Sequence, residues 1–470
     1  LRSNRSIAVR LVVPAALGVL VWCLPRPQGV TPEAWQLLAI FLATIVGIVL
    51  EPLPMGAVAV LGICAATLSG TLTIADALSG FASRVIWLVV MAFFISRGFV
   101  KTGLGARIAY HFVRRLGRRS LGLGYSMVGT DLVLAPVIPS NTARSGAVVF
   151  PILLSVAGAF DSRPADGTAR RLGAYLIQCA FHGNLITSAM FLTAMAANPL
   201  AARMAGELGI EVTWVGWASA ACVPGLASLL LVPYLLYRLY PPEVRKTPQA
   251  PRLAARKLAQ MGPMGRGEWV MLGTFALLLL LWSLGKPLGV HSTVTALLGL
   301  GLLLLTRVLT WEDVLRERGA WNVFIWLSTL VMMASYLAKL GLVGWFSGVV
   351  GGLFEGLGWL PSLVVLSLIY FYSHYFFAGN TAHISSMYAA FLGVALRVGA
   401  PPLLSALLLG FFSNLFSSMT HYSTGPAPVF FGAGYVRLGA WWRLGALVSV
   451  VNVCIWLGLG GLWWRVLGLW

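Results

Sequence analysis

Two short polar stretches interrupt long apolar sequence, and both carry residue types that can bind a small anion. The first is Val137-Ile138-Pro139-Ser140-Asn141-Thr142-Ala143-Arg144 and the second is Phe377-Ala378-Gly379-Asn380-Thr381-Ala382-His383. If each stretch breaks a helix, the N–H groups that open the new helix have no intrahelical partner and carry the positive end of its dipole. Those groups belong to Thr142, Ala143 and Arg144, and to Thr381, Ala382 and His383, and they attract anions. Asn141 and Asn380 are expected to cap the two starts. The carbonyls before each break can hold a cation. Arg144 and His383 occupy the same position in the two tips. His421 lies in a later interrupted run, Thr420-His421-Tyr422-Ser423-Thr424-Gly425-Pro426. Positive or ionisable groups beside two positive helix ends point to an anion, and two such ends favour one with two carboxylates.

Such a site needs elements that deliver both tips to membrane depth. A single offset carries Asn141 onto Asn380 and Ile86-Trp87-Leu88 onto Ile325-Trp326-Leu327, which marks an internal repeat. The arms around each tip are too short to cross ~30 Å of hydrocarbon. As helix, Leu121–Val133 and Thr142–Val156 reach about 20 and 22 Å, and Pro361–Phe376 and Thr381–Val398 about 24 and 27 Å. Each unit therefore reads as a re-entrant helical hairpin, the first turning at Pro136/Pro139. A broken helix is tolerated at that depth only where protein or a water-filled cavity meets its freed groups, so each break is a candidate binding site.

Composition sets the class. The 470 residues are 59% hydrophobic and 10% charged, and the mean hydropathy is +0.85; soluble domains carry about a quarter charged residues. This is a polytopic membrane chain. The net charge of +19 comes from basic residues in short loops, which fits topology rather than nucleic acid. Cys23, Cys64, Cys179, Cys222 and Cys454 stand singly in apolar sequence and read as reduced packing residues. Arg2, Arg5 and Arg10 before the apolar run Leu11–Leu24 look like a signal sequence, but Trp22 beside Cys23 does not suit cleavage, so an uncleaved first span is expected. Beginning on Leu1, the chain is expected to lack a few residues. No hydrolase, phosphate-loop or calcium-loop motif occurs, so no enzyme activity is expected. Asp131, the conspicuous acid within a span, is either functional or a structural hydrogen-bond partner. His182 and His374 read as packing residues, and Arg97 as buried in the fourth span or near the surface.

Spans are expected at about 7–25, 34–50, 55–70, 84–100, 172–197, 214–238, 268–285, 291–307, 320–338, 402–420 and 439–465. Leu104–Leu116 has basic and apolar faces and suits a surface helix. The polar stretch Tyr240–Gly267 reads as a cytoplasmic basic linker over 241–266. The fold class is thus an all-α polytopic membrane protein of about eleven transmembrane helices plus two re-entrant hairpins. The first hairpin opens inward and the second outward, so the repeats are inverted, with substrate at the midplane. The N-terminus falls inside and the C-terminus outside the cytoplasmic membrane. Asn184-Leu185 and Asn414-Leu415 give a weaker second match, each opening a span interrupted later, at Asn198-Pro199 and at Thr424-Gly425-Pro426.

Together these features resemble the divalent anion:sodium symporter family, carriers of dicarboxylates and citrate. Ser140-Asn141-Thr142 matches its first tip in full, Gly379-Asn380-Thr381 its second with Gly for Ser, and Ser423-Thr424-Gly425-Pro426 before Val429-Phe430-Phe431-Gly432-Ala433-Gly434 its last broken helix. The resemblance implies a homodimeric elevator, with a transport domain of roughly 121–240 and 360–470 moving against a scaffold of roughly 1–120 and 267–359. It implies that Ser140, Asn141, Thr142, Gly379, Asn380, Thr381, Thr424 and Gly425 line the substrate site. Arg144, His383 and His421, with Pro136 and Gly379, depart from the sodium-coupled pattern and resemble the citrate/succinate, tartrate/succinate and 2-oxoglutarate/malate exchangers. Fixed positive charge would compensate the substrate without a bound cation, and an empty carrier would then cross poorly, which favours obligatory exchange. The alternatives are a symporter with sodium near Ser140, Asn141 and Asn380, and a passive anion channel. No other cofactor is expected.

Overall fold

The computed structural model describes residues 4–50, 52–354, 356–377 and 379–470, and burial for these except 4–9, 11 and 286. Arg2 and Ala378 lie outside the described residues, as does the side chain of Arg5. The chain is a multi-pass membrane protein of helices. Among the described residues, seven helices are long and apolar enough to cross a membrane: Pro32–Leu50, Arg84–Thr102, Trp214–Leu239, Arg266–Gly285, Arg318–Lys339, Trp359–Phe376 and Leu438–Val466. Shorter apolar helices include Met55–Leu68, Ser292–Leu305 and Pro402–Ser418.

Local chemistry explains the elements outside the long helices. Leu104–Leu116 is helical as its two-faced pattern predicts, burying Leu104, Ala109 and Val113 while Arg114 and Arg115 stay exposed. Its repeat counterpart, Leu342–Gly351, escaped the sequence reading; both open after a glycine in the left-handed region, Gly103 at φ 78° and Gly341 at φ 84°. The segment expected to be only a linker contains the helix Gln249–Met261, which buries Ala250, Ala254 and Leu258 at i, i+4, i+8 spacing. It packs on Leu104–Leu116, where Arg107 forks onto Glu268 at 2.5 and 3.0 Å and donates to the Gly262 carbonyl at 2.9 Å.

The helices gather into two compact units. One comprises Leu1–Val90, Pro199–Val212 and Arg318–Gly410, and the other Met91–Asn198, Thr213–Glu317 and Phe411–Trp470. Each combines the opening helices of one repeat with the hairpin of the other. The pairing is visible at two short helices. Thr73 caps Ile74–Leu78, and Asp76 of that helix accepts the Tyr336 O–H at 2.5 Å. Under nearly the offset that relates the tips, Thr310 caps Trp311–Arg316 in a capping box, and Asp313 of that helix meets Lys101 Nζ at 2.5 Å. Partial burial pushes the Asp313 carboxyl up, but Lys101 and the Thr310 N–H and O–H outweigh it and hold it down to about 2.

Gly80 follows the Ile74–Leu78 helix and lies against the Ser328 carbonyl, where an added Cβ would collide with backbone. Gly80→Ala is therefore expected to destabilise the protein by about 1–3 kcal/mol. Thermal unfolding in detergent would read this, whereas Gly273→Ala, with open space at its Cβ, should melt like the parent.

Candidate anion site at two helix tips

The first hairpin rises as Ser120–Leu134, breaks, and returns as Asn141–Ala143 followed by Phe150–Gly158, with a π-helical stretch Arg144–Val149 between them. The second has the same plan: Trp359–Ser373, the break, Asn380–His383, a π-helical stretch Ile384–Tyr388, and Ala389–Arg397. The hairpins thus match in detail that residue types do not reveal, and π-turns cluster at functional sites.

The caps differ from expectation. Ser140, not Asn141, is the first N-cap, its Oγ accepting the Ala143 N–H at 3.1 Å. Asn141 is the first helical residue. Its Oδ1 accepts the Thr142 N–H at 2.9 Å and its Nδ2 donates to Thr424 Oγ1 at 3.2 Å. Gly425 lies so close to the Thr142 hydroxyl that a Cβ there would collide with it. Ser140, Asn141, Thr142, Thr424 and Gly425 are therefore assembled together, within the second unit. At the other tip Gly379, not Asn380, is the N-cap, and it has no side chain to cap with. Asn380, Thr381 and His383 share that start, within the first unit.

Arg144 is fully buried, and both its Nη atoms and its Nε donate to protein. Nε faces both Asp131 oxygens at 3.3 and 3.4 Å, Nη1 donates to the Ile138 carbonyl at 2.6 Å and the Ala194 carbonyl at 2.5 Å, and Nη2 to Ser188 Oγ at 2.9 Å. The expected free charge for substrate is thus matched by Asp131. That carboxylate also accepts from Asn184 Nδ2 at 3.0 and 3.2 Å and from the Thr187 hydroxyl. Asp131 is the hub of the first tip. Asn184 Nδ2 is fixed by this contact, which leaves its buried Oδ1 without a protein partner. Burying such an acceptor costs about 1–3 kcal/mol, so Asn184 is marked as facing a ligand or water.

The interrupted span after the hairpin ends at Met190 and resumes at Ala197, so the break precedes Asn198-Pro199 instead of falling on it. Asn198 bridges the gap, donating to the Ser188 and Phe191 carbonyls at 2.8 and 3.0 Å and accepting from Asn414 at 2.8 Å. Thr193 donates to the Pro136 carbonyl, joining the two breaks.

His383 is buried among aromatic rings. It stacks on Phe377 at 4.5 Å, Tyr370 at 4.6 Å and His374 at 5.2 Å, with Nε2 3.1 Å from Ser373 Oγ. His421 is half-buried against Phe431, and its Nδ1 accepts the Trp442 indole N–H at 3.3 Å, which puts its proton on Nε2. Arg97 is exposed rather than buried. His182 is a core residue 3.2 Å from Gln178. Asn184 and Asn198 were visible in sequence through the repeat; Thr187, Ser188 and Thr193 were not, although Asn184, Thr187 and Ser188 at i, i+3, i+4 form one polar face in an apolar span.

Asp131→Asn removes the counter-charge of a buried guanidinium, a change expected to cost about 3–5 kcal/mol. Melting in detergent should fall accordingly, and adding Arg144→Gln should recover part of the loss. Gly425→Ala should displace the Thr142 hydroxyl, weakening substrate binding by titration while the protein stays folded by size-exclusion chromatography.

A family model described as the sodium:sulfate symporter transmembrane region matches residues 5–470. A Bacillus subtilis (strain 168) protein named provisionally as malate transporter YflS is 53% identical, covering 100% of this chain and 99% of its own. Dicarboxylate transporter 1, chloroplastic, of Spinacia oleracea is 52% identical over 98% of this chain and 81% of its own. The crystal structure of the Alcanivorax borkumensis YdaH transporter shares the fold, with a TM-score of 0.55 at 15% identity over 98% of this chain and 97% of that one.

Proposed function

The chain belongs to the divalent anion:sodium symporter family, whose members are transporters and not enzymes, and from that premise we propose that it exchanges small dicarboxylates across the cytoplasmic membrane. The observation that carries the substrate class is identity above half, over essentially the whole chain, to relatives named for malate and dicarboxylates. On this reading Ser140, Asn141, Thr142, Thr424 and Gly425 at the first tip, and Gly379, Asn380 and Thr381 at the second, are carboxylate-binding residues that act through N–H groups and hydroxyls. Succinate, malate, 2-oxoglutarate, tartrate and citrate are the candidate substrates.

Exchange rather than sodium coupling is favoured by where the Arg144 guanidinium sits. It donates to the Ile138 carbonyl in the first break and to the Ala194 carbonyl in the next one. Carbonyls of broken helices are what a coupling sodium would use in a carrier of this kind. A tethered guanidinium there occupies the carbonyls that a sodium ion would need and cannot leave. Because Asp131 balances Arg144, the obstacle to empty crossing is not net charge but two helix starts whose N–H groups lose their anion. Eleven spans, inverted repeats, an inside N-terminus and outside C-terminus, a homodimer, and an elevator moving 121–240 and 360–470 against 1–120 and 267–359 complete the proposal.

In proteoliposomes, labelled malate or succinate uptake should require internal dicarboxylate and ignore sodium. Sodium-driven uptake into empty vesicles would select the symporter, and currents far above carrier turnover the channel. Asn141→Ala, which unlinks the first tip from Thr424, should abolish exchange.

A further inference from the structure

The first unit contains a cavity of about 550 Å³ that none of the tip residues line. That volume lies within the ~300–1,000 Å³ range of small-ligand clefts. Its charged residues are Arg203 and Glu207 of the helix Ala197–Glu207, Lys339 at the end of Arg318–Lys339, and Arg397 at the end of the second hairpin's returning arm. Glu207 is already engaged. It accepts from Arg203 Nε at 3.1 Å and from the Ser335 hydroxyl. Among the described residues no carboxylate pairs with Lys339 or Arg397. The Lys339 ammonium lies over the Tyr336 ring at 4.5 Å, and Tyr336 donates onward to Asp76. The Arg397 stem lies across Gly351, where an added Cβ would come within 3.2 Å of its Cγ, so the guanidinium is positioned by packing rather than left to roam. Close approach of Gly393 to Ser347 brings the returning arm against the helix Leu342–Gly351 and fixes the wall between them.

One cleft thus holds two cations on different elements that, among the described residues, form no direct ion pair, Asp76 meeting Lys339 only across the Tyr336 ring, beside an internally neutral Arg203–Glu207 pair. A concave surface of one sign concentrates the opposite charge and raises encounter rates. We propose that this cavity is a second, weaker site for a small divalent anion of the carrier's own substrate class, held between Lys339 and Arg397 and feeding the second tip, which belongs to the same unit. The inference rests on the proposed function for the identity of the anion, and its electrostatics stand independently. Lys339 and Arg397 are both exposed, so the contacts are screened and the affinity is low.

Equilibrium dialysis of labelled malate against the detergent-solubilised full chain at low ionic strength tests it directly. The expected result is a tight and a weak component, with the weak one lost in the double variant Lys339→Gln/Arg397→Gln and retained in Arg397→Lys. If the tips bind no dicarboxylate, only the weak component remains and the double variant still removes it, so failure of the functional reading is distinguishable. A weak component that is absent, or unchanged in the double variant, overturns the site. Exchange kinetics give the second readout: the double variant should raise KM about five- to twentyfold, leave kcat unchanged and flatten the dependence on ionic strength. A parental KM and salt dependence in a folded double variant would overturn the feeding role.

Discussion

The buried Asp131–Arg144 contact is the constraint on which the first tip depends. A guanidinium with no exposure and a carboxylate at 2% exposure are each prohibitive alone, and the surrounding chain is arranged to make them tolerable together. Asn184 and Thr187 donate to the acid, and two break carbonyls and Ser188 accept three further N–H groups of the base. The same contacts hold the hairpin against the interrupted span behind it. Rigidity at the tip and neutrality of the buried pair are therefore one arrangement.

The two tips are alike in backbone and unlike in chemistry. Both returning arms begin with a short α-helical start and continue through a π-turn, so the repeat preserved the path of the chain. The cap did not survive: the first start has a serine hydroxyl, the second a glycine at extended φ with open space around its Cβ. Packing does not require that glycine, because a serine would fit. The second tip thus lacks the cap hydroxyl that Ser140 supplies to the first. The position after the starts also diverged, into an ion-paired arginine in one arm and an aromatic-packed histidine in the other.

Sequence alone exposed the repeat, the helix breaks and the two-faced helix Leu104–Leu116, because each rests on local pattern: span length, break residues and two-faced periodicity. It misjudged what depends on distant partners. Arg144 reads as free charge until Asp131, Ile138 and Ala194 are brought around it, and His383 as a charged contact until Tyr370 and Phe377 close on its ring. The capping role moved by one residue at each tip, a distinction that Ser-Asn-Thr and Gly-Asn-Thr do not encode, since serine, asparagine and glycine all cap well. The helix in the basic linker was hidden by its charge, although three small or apolar residues at i, i+4, i+8 were there to be seen.

Because each compact unit combines segments from both halves of the chain, order of synthesis matters. When Arg107 emerges from the ribosome its carboxylate partner is still 161 residues away, about 10–30 s at ordinary elongation rates. Asn141 waits longer for Thr424, 283 residues downstream. The first half of the protein can therefore complete the Asp131–Arg144 network from its own residues but enters the bilayer with Arg107 and Asn141 still lacking these partners, and a nascent chain released at the linker could not close either unit. The architecture ties membrane insertion to completion of translation, and places the early polypeptide in the care of whatever shields polar groups in the lipid until the second half arrives.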